Sequence, residues 1–194
     1  MLPAEAHVAA IDSFLAERLA ERTRLRLAKE ADAAFLLGLR LDESRNQNIS
    51  GTSSDLRAQV GWMRDYASRH ASGREAYFVI ETDGVPQGSL RLYDYLPAEN
   101  VYYWGSWIIR PGAPPATALR SLILAYDLAF GPLGFNKARF NVRQANVSVW
   151  KFHEKTGAQV VRSDAFDRLY EHDFQGYRIA REWLAKIAQI QDPI

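Results

Sequence analysis

The chain has 194 residues, 47% of them hydrophobic and 24% charged, the size and balance of one globular domain with a single sizeable core. A formal net charge of +1 gives no sequence-wide case for a nucleic-acid or membrane partner, and no apolar run approaches the roughly 20 residues that span a bilayer. There is no cysteine, which removes disulfides, zinc-thiolate centres and cysteine nucleophiles. The scattered His7, His70, His153 and His172 lack metal-ligand spacing, so no metal site is expected. Glu5 stands early, without a basic start or an apolar stretch beside it, so no secretory signal is expected and a cytoplasmic location is the default.

In chain order, Val8, Ile11, Leu15 and Leu19 recur at three- and four-residue steps and predict an amphipathic helix over about 7–21. Thr23–Ala28 alternates like a half-buried strand. Asp32 opens a helix to Leu39 with Phe35, Leu36 and Leu39 inward, and the polar stretch 42–53 reads as a loop. Asp55 precedes a helix with Leu56, Val60, Met63 and Tyr66 toward the core. A three-strand meander follows: Glu75–Thr82, an Asp83-Gly84 hairpin turn, Val85–Tyr95, then Val101–Ile109. Gly105 interrupts the last of these and suggests a bulge.

The small-residue loop Arg110–Ala118 feeds a helix carrying Leu119, Leu122, Ile123, Tyr126, Ala129 and Phe130 on one face. A strand at Lys137–Val142 leads to a helix capped by Asn146 and stopped at Gly157. Strands Gln159–Ser163 and Arg168–Phe174 follow. A last helix, about 176–190, bears an apolar stripe of Ile179, Trp183, Ile187 and Ile190. The order predicts one mixed-sheet α/β domain.

Two segments could carry chemistry. Asn146 and His153, seven residues apart, share a helical stripe with Val149 and Trp150 between or beside them. The first turn of the helix at 116–119 offers unpaired N–H groups from Ala116, Thr117, Ala118 and Leu119, with the Thr117 hydroxyl, as an anion site. Pro114 and Pro115 cannot donate.

Val142-x-x-x-Asn146, followed by Val149, His153, Lys155 and Gly157, resembles the V-x-x-x-N-x-x-A-x-x-x-Y-x-K-x-G-F pattern of the GNAT acetyltransferase superfamily. The resemblance covers about Arg24 to Phe174. It implies a mostly antiparallel mixed sheet, splayed between two adjacent parallel strands and flanked by helices. It also implies acetyl-CoA as acyl donor, held by Trp107, Ile108 and Ile109, by the 116–119 turn, and by Asn141, Asn146 and Val149. The family's phosphate loop, [QR]-x-x-G-x-[GA], is altered here to Ala113, Ala116 and Ala118. His153 stands where the family commonly has a tyrosine that protonates the leaving sulfur, which makes it the candidate general acid, or a neutral hydrogen-bond donor to that sulfur.

For the acceptor, Arg40, Asp42, Glu43, Arg91, Tyr93, Trp104 and Ser106 are the candidates, with Ser89, Arg91 and Tyr93 alternating onto one strand face. His172 reads as an exposed strand residue, and no general base stands out. The expected activity is acetyl transfer to the amine of a small molecule, a nucleotide-linked amino sugar stacked on the aromatic meander being one such acceptor. The alternatives are a protein N-terminal acetyltransferase, or a GNAT-like binding module without catalysis. The stripe on the first helix could serve a homodimer or partner interface.

Overall fold

A computed structural model describes residues 2–19, 21–42, 51 and 53–189. Seven strands form one sheet in the order β1-β2-β3-β4-β5-β7-β6. They are β1 (Thr23–Leu27), β2 (Ala76–Thr82), β3 (Val85–Leu96), β4 (Val101–Ile109), β5 (Lys137–Arg143), β6 (Gln159–Ser163) and β7 (Asp167–Asp173). All neighbours are antiparallel except β4 and β5, which are parallel. Among the described residues the helices are α1 (Ala4–Glu17), α2 (Ala33–Leu41), α3 (Leu56–Ala71), α4 (Thr117–Phe130), α5 (Val147–Lys155) and α6 (Phe174–Ala188). A short 3-10 turn, Glu30–Asp32, precedes α2.

β2 shows how the layers are specified. Every one of its residues is buried, so its pleat feeds two cores at once. Phe78 and Ile80 join Leu90, Leu92, Tyr102 and Trp104 against α1 and α4, whereas Tyr77 and Val79 join Leu36, Met63 and Tyr66 beneath α2 and α3. The β2–β3 hairpin turns at Asp83 (φ 53°) and Gly84 (φ 74°), the two left-handed residues expected of Asp-Gly. Asp55 accepts a hydrogen bond from Arg57 N at 2.8 Å and so caps α3.

Several helix faces differ from the sequence expectation. In α1 the buried residues are His7, Ile11 and Phe14, while Leu19 lies beyond the helix end, 63% exposed. The apolar stripe misleads because an imidazole occupies an inward position. Leu56 is exposed at the start of α3. α6 begins at Phe174, two residues early, because Asp173 caps it by accepting from Gly176 N at 2.7 Å. Its buried face is Tyr177, Ala180, Leu184 and Ala188, and Ile179 and Ile187 point to solvent at 77% and 58% exposure. Small alanines let α6 approach α4 closely, so the largest apolar residues are not the inward ones. His172 is fully buried, against Tyr126 at 5.3 Å between ring centroids, rather than exposed. The expected positions Glu43 and Ile190, and most of the 42–53 loop, lie outside the described residues.

Candidate functional site

The parallel pair is joined only at its start, where Val101, Tyr102 and Tyr103 face Lys137, Ala138 and Arg139. Beyond Tyr103 the strands part. The register of β3 against β4 shows why: Ser89 faces Ile108 but Arg91 faces Gly105, so Ser106 and Trp107 together oppose Leu90. This is a β-bulge, which bends its strand away from the neighbour. Gly105 is not the strained residue. Ser106 is, at φ 49°, and its carbonyl is held by the buried Ser89 hydroxyl at 2.8 Å. The glycine signals the bulge but lies one residue from its place.

On the α5 side the gap opens into a cavity of about 460 Å³. It is lined by Trp107, Ile108 and Ile109 of β4, Asn141 of β5, and Asn146, Val149 and His153, and by Ala118 at the start of α4. Among residues expected there, Ala116, Thr117 and Leu119 do not line it. Thr117 is 1% exposed, its hydroxyl bonded to Thr82 Oγ1 at 2.9 Å and its N–H donated to Pro114 O at 3.0 Å. The expected phosphate contact by this hydroxyl is therefore corrected: it belongs to the interior. Asn146 holds the cap position of α5 without a side-chain cap bond, so its amide is not committed to the helix.

His153 is 1% exposed, ringed by Phe140 at 4.5 Å, Phe152 at 5.2 Å and Trp104 at 5.6 Å between centroids. Its Nδ1 is buried without a hydrogen-bond partner among the described residues. Burial pushes its pKa down to about 3, with the nearby His172 adding to the effect. The ring is neutral at pH 7. Of the two roles expected of it, donation from an imidazolium loses its basis and the neutral hydrogen-bonding role is left.

On the opposite side, toward α2 and α3, lies a second cavity of about 580 Å³. Arg40, Arg91, Tyr93, Trp104 and Ser106, all expected on the acceptor side, line it together. Arg91 is held in place: Nε donates to Glu75, which is 3% exposed and also bound by Arg69 at 2.7 Å, and its guanidinium sits 4.5 Å from the Tyr93 centroid and 5.2 Å from that of Trp62. Sequence reasoning missed Trp62, Gln59, Tyr77, Arg143 and Asp167 on this wall. Trp62 lies on α3 next to the inward Met63, where the core stripe draws attention away from it. Arg143 and Asp167 meet through the β5–β7 register, which no local pattern announces. Trp104, Gly105, Ser106, Asn141 and Arg143 line both cavities, so the two chambers meet at the bulge.

No protein-family model and no curated protein sequence matches the chain. Solved structures do. FdhC, described as a nucleotide-linked sugar GNAT in its apo form, is 35% identical, with a TM-score of 0.78 over 85% of this chain and 94% of that one. RimJ of Mycobacterium smegmatis, solved in complex with CoA-disulfide, is 17% identical with a TM-score of 0.70, covering 86% of this chain and 89% of its own. The spermidine/spermine N-acetyltransferase SpeG of Vibrio cholerae is 16% identical with a TM-score of 0.67, covering 82% and 98%. The splayed parallel pair, the bulge and the 35% likeness over most of both chains agree: the chain belongs to the GNAT superfamily of N-acetyltransferases.

Proposed function

We propose that the chain transfers an acetyl group from acetyl-CoA to the primary amine of a nucleotide-linked amino sugar. The observation that carries this reading is the meeting of two cavities of different character at Trp104–Ser106. The donor-side chamber is lined mostly by apolar and small residues, with β4 backbone left unpaired to β5 beyond Tyr103, which suits an extended, amide-bearing arm. The uncommitted Asn146 amide fits the same purpose. Trp107, Ile108, Ile109, Asn141, Asn146 and Val149 would hold the arm, and the first turn of α4 at Ala118, the one residue of that turn on the cavity wall, would face its phosphates.

When bound, acetyl-CoA supplies an electrophilic thioester carbonyl, whose carbon bonds to the amine nitrogen as the carbon–sulfur bond breaks. The chain's own contribution is orientation and an apolar surround. Trp104 walls the junction while Trp107 and Phe140 wall the donor chamber, and His153 stays neutral there, able to hydrogen-bond but not to deliver an imidazolium proton at pH 7. The acceptor-side chamber is lined by Arg40, Arg91 and Arg143 with the rings of Trp62, Tyr77, Tyr93 and Trp104. Cations beside aromatic faces suit a diphosphate joined to a nucleoside and a sugar. The likeness to a nucleotide-linked sugar GNAT supports the same class of acceptor.

The test is thiol release from acetyl-CoA in the presence of UDP- or dTDP-linked 2-, 3- and 4-amino sugars, with spermidine and an unblocked peptide as competing amines. Acetylation of a sugar nucleotide in preference to the other amines is expected. Preference for the peptide would instead establish N-terminal acetylation. Binding of acetyl-CoA, read as a rise in melting temperature, without transfer to any amine would mark a binding module.

A further inference from the structure

Resting on that reading of the site, we infer that Asp167 is the residue that receives the acceptor's ammonium group and takes its first proton. An amine cannot attack while protonated, so the site needs an acceptor for that proton at the junction of the chambers. Among the described residues, the acceptor-side cavity is lined by three arginines and one carboxylate, Asp167. The phosphates of the substrate match the arginines, and its ammonium matches the carboxylate.

Asp167 is placed at the reacting end. It pairs in register with Arg143, which lines both chambers, and Asn141, two residues along the same face of β5, does so too. Its carboxylate is also held. Arg143 Nη1 donates to Oδ2 at 3.1 Å, while the Asp167 N–H donates to Asp164 Oδ1 at 2.8 Å and its carbonyl accepts from Asp164 N at 3.0 Å. Oδ1 has no hydrogen-bond partner among the described residues, and the side chain is 33% exposed. The carboxylate is therefore oriented by one oxygen and open at the other.

Two protons must leave the nitrogen. The ammonium gives the first to Asp167 Oδ1, which passes it to solvent at the cavity mouth. The nitrogen lone pair then forms the carbon–nitrogen bond, and the second proton leaves the nitrogen as the amide forms and goes to the departing sulfur. Arg143, bonded to Oδ2 at 3.1 Å, holds the carboxylate in place so that Oδ1 faces the amine.

Asp167→Asn tests this with a reading that needs no acetyl-CoA. Calorimetric titration of the protein with each amino-sugar nucleotide and with its hydroxyl counterpart, UDP-glucosamine beside UDP-glucose for example, measures a preference for the charged amine. Wild type should favour the amine about tenfold or more, the scale of one charge-assisted hydrogen bond, and the D167N variant should abolish the preference while leaving the hydroxyl compound's affinity unchanged. In turnover, D167N should lower kcat/KM about 100-fold near pH 7 and recover toward wild type as pH rises past the amine's own pKa. Asp167→Glu should restore part of the loss. An unchanged acetyl-CoA affinity guards against misfolding. Equal binding of amine and hydroxyl compounds by wild type, or a D167N rate loss that is the same at every pH, overturns the role of Asp167 while leaving the sugar-nucleotide reading intact. Failure of every sugar nucleotide to bind overturns both.

Discussion

Lowering the pH should destabilise this protein through His153, by an amount that the burial of the ring determines. In the unfolded chain the imidazole titrates near 6.5; in the folded protein, enclosed by Phe140, Phe152, Trp104 and Trp107, it does so at about 3. Between those values the unfolded state binds a proton that the folded state refuses, so stability rises with pH across this window and falls as pH drops below 6.5. Taking the fold from pH 7.5 to 5.0 converts nearly all of the unfolded imidazole to imidazolium and leaves the folded one neutral, a loss of about 2 kcal/mol from this one residue. His7, buried at 1% exposure and pushed down to about 4, and His172, pushed down by burial, act in the same direction, so the wild-type loss alone does not isolate His153. The variant His153→Phe does. Urea unfolding of both proteins at pH 7.5 and 5.0 should show wild type losing about 2 kcal/mol more than the variant on acidification, whatever the cost of the larger ring at either pH. Equal losses would mean that the folded ring takes up its proton as readily as the unfolded one, and the neutral-imidazole reading of the site would fall with it.

Glu75→Ala should cost about 3–5 kcal/mol in urea unfolding, because it strips two arginines, Arg69 and Arg91, of a carboxylate that is 3% exposed; the same change should raise KM for the acceptor by releasing Arg91. Asn146→Ala should barely alter stability, well below the usual cost of about 1 kcal/mol for losing a helix cap, because no cap bond is present, yet should weaken acetyl-CoA binding measured by calorimetry. Leu184→Ala should destabilise by about 2–5 kcal/mol and Ile179→Ala by less than about 0.5, since the first is fully buried against α4 and the second is 77% exposed.

How far the sequence could be read depended on whether a feature was local. The Asp83-Gly84 turn, the helix start after Asp55 and the alternation of Leu90 and Leu92 against Arg91 and Tyr93 are each written within a few residues, and each stands in the structure as expected. The Asn146 stretch carried the family pattern, and with it the splayed sheet. Helix faces were less legible wherever a residue's chemistry and its position disagree. His7 and His172 lie inward despite their polarity, and Ile179 and Ile187 lie outward because Ala180 and Ala188 allow the closer packing. Least legible were contacts made by register across the sheet. Asp167 is 24 residues from Arg143 in the chain, and nothing near either one signals their pairing.

The distribution of charge along the cleft follows from the parting of β4 and β5. Beyond Tyr103 the strands separate, with the bulge at Ser106–Trp107 on β4, and the gap opens into both chambers. It also decides which side chains each receives. On the donor side the gap exposes the apolar underside of the sheet, Phe140 and Val142, beside α5, so among the described lining residues Arg143 is the one ion. On the acceptor side it exposes the polar pleat of β3, β5 and β7, which brings Arg91, Arg143 and Asp167 to the wall with Arg40 of α2. In the proposed reaction the thioester would come from the more apolar chamber and the amine from the charged one. Arg143, common to both, anchors the carboxylate at their boundary. The polar wall of the acceptor chamber, where the Asp167 side chain is 33% exposed, gives the proton released in that reaction a route to water.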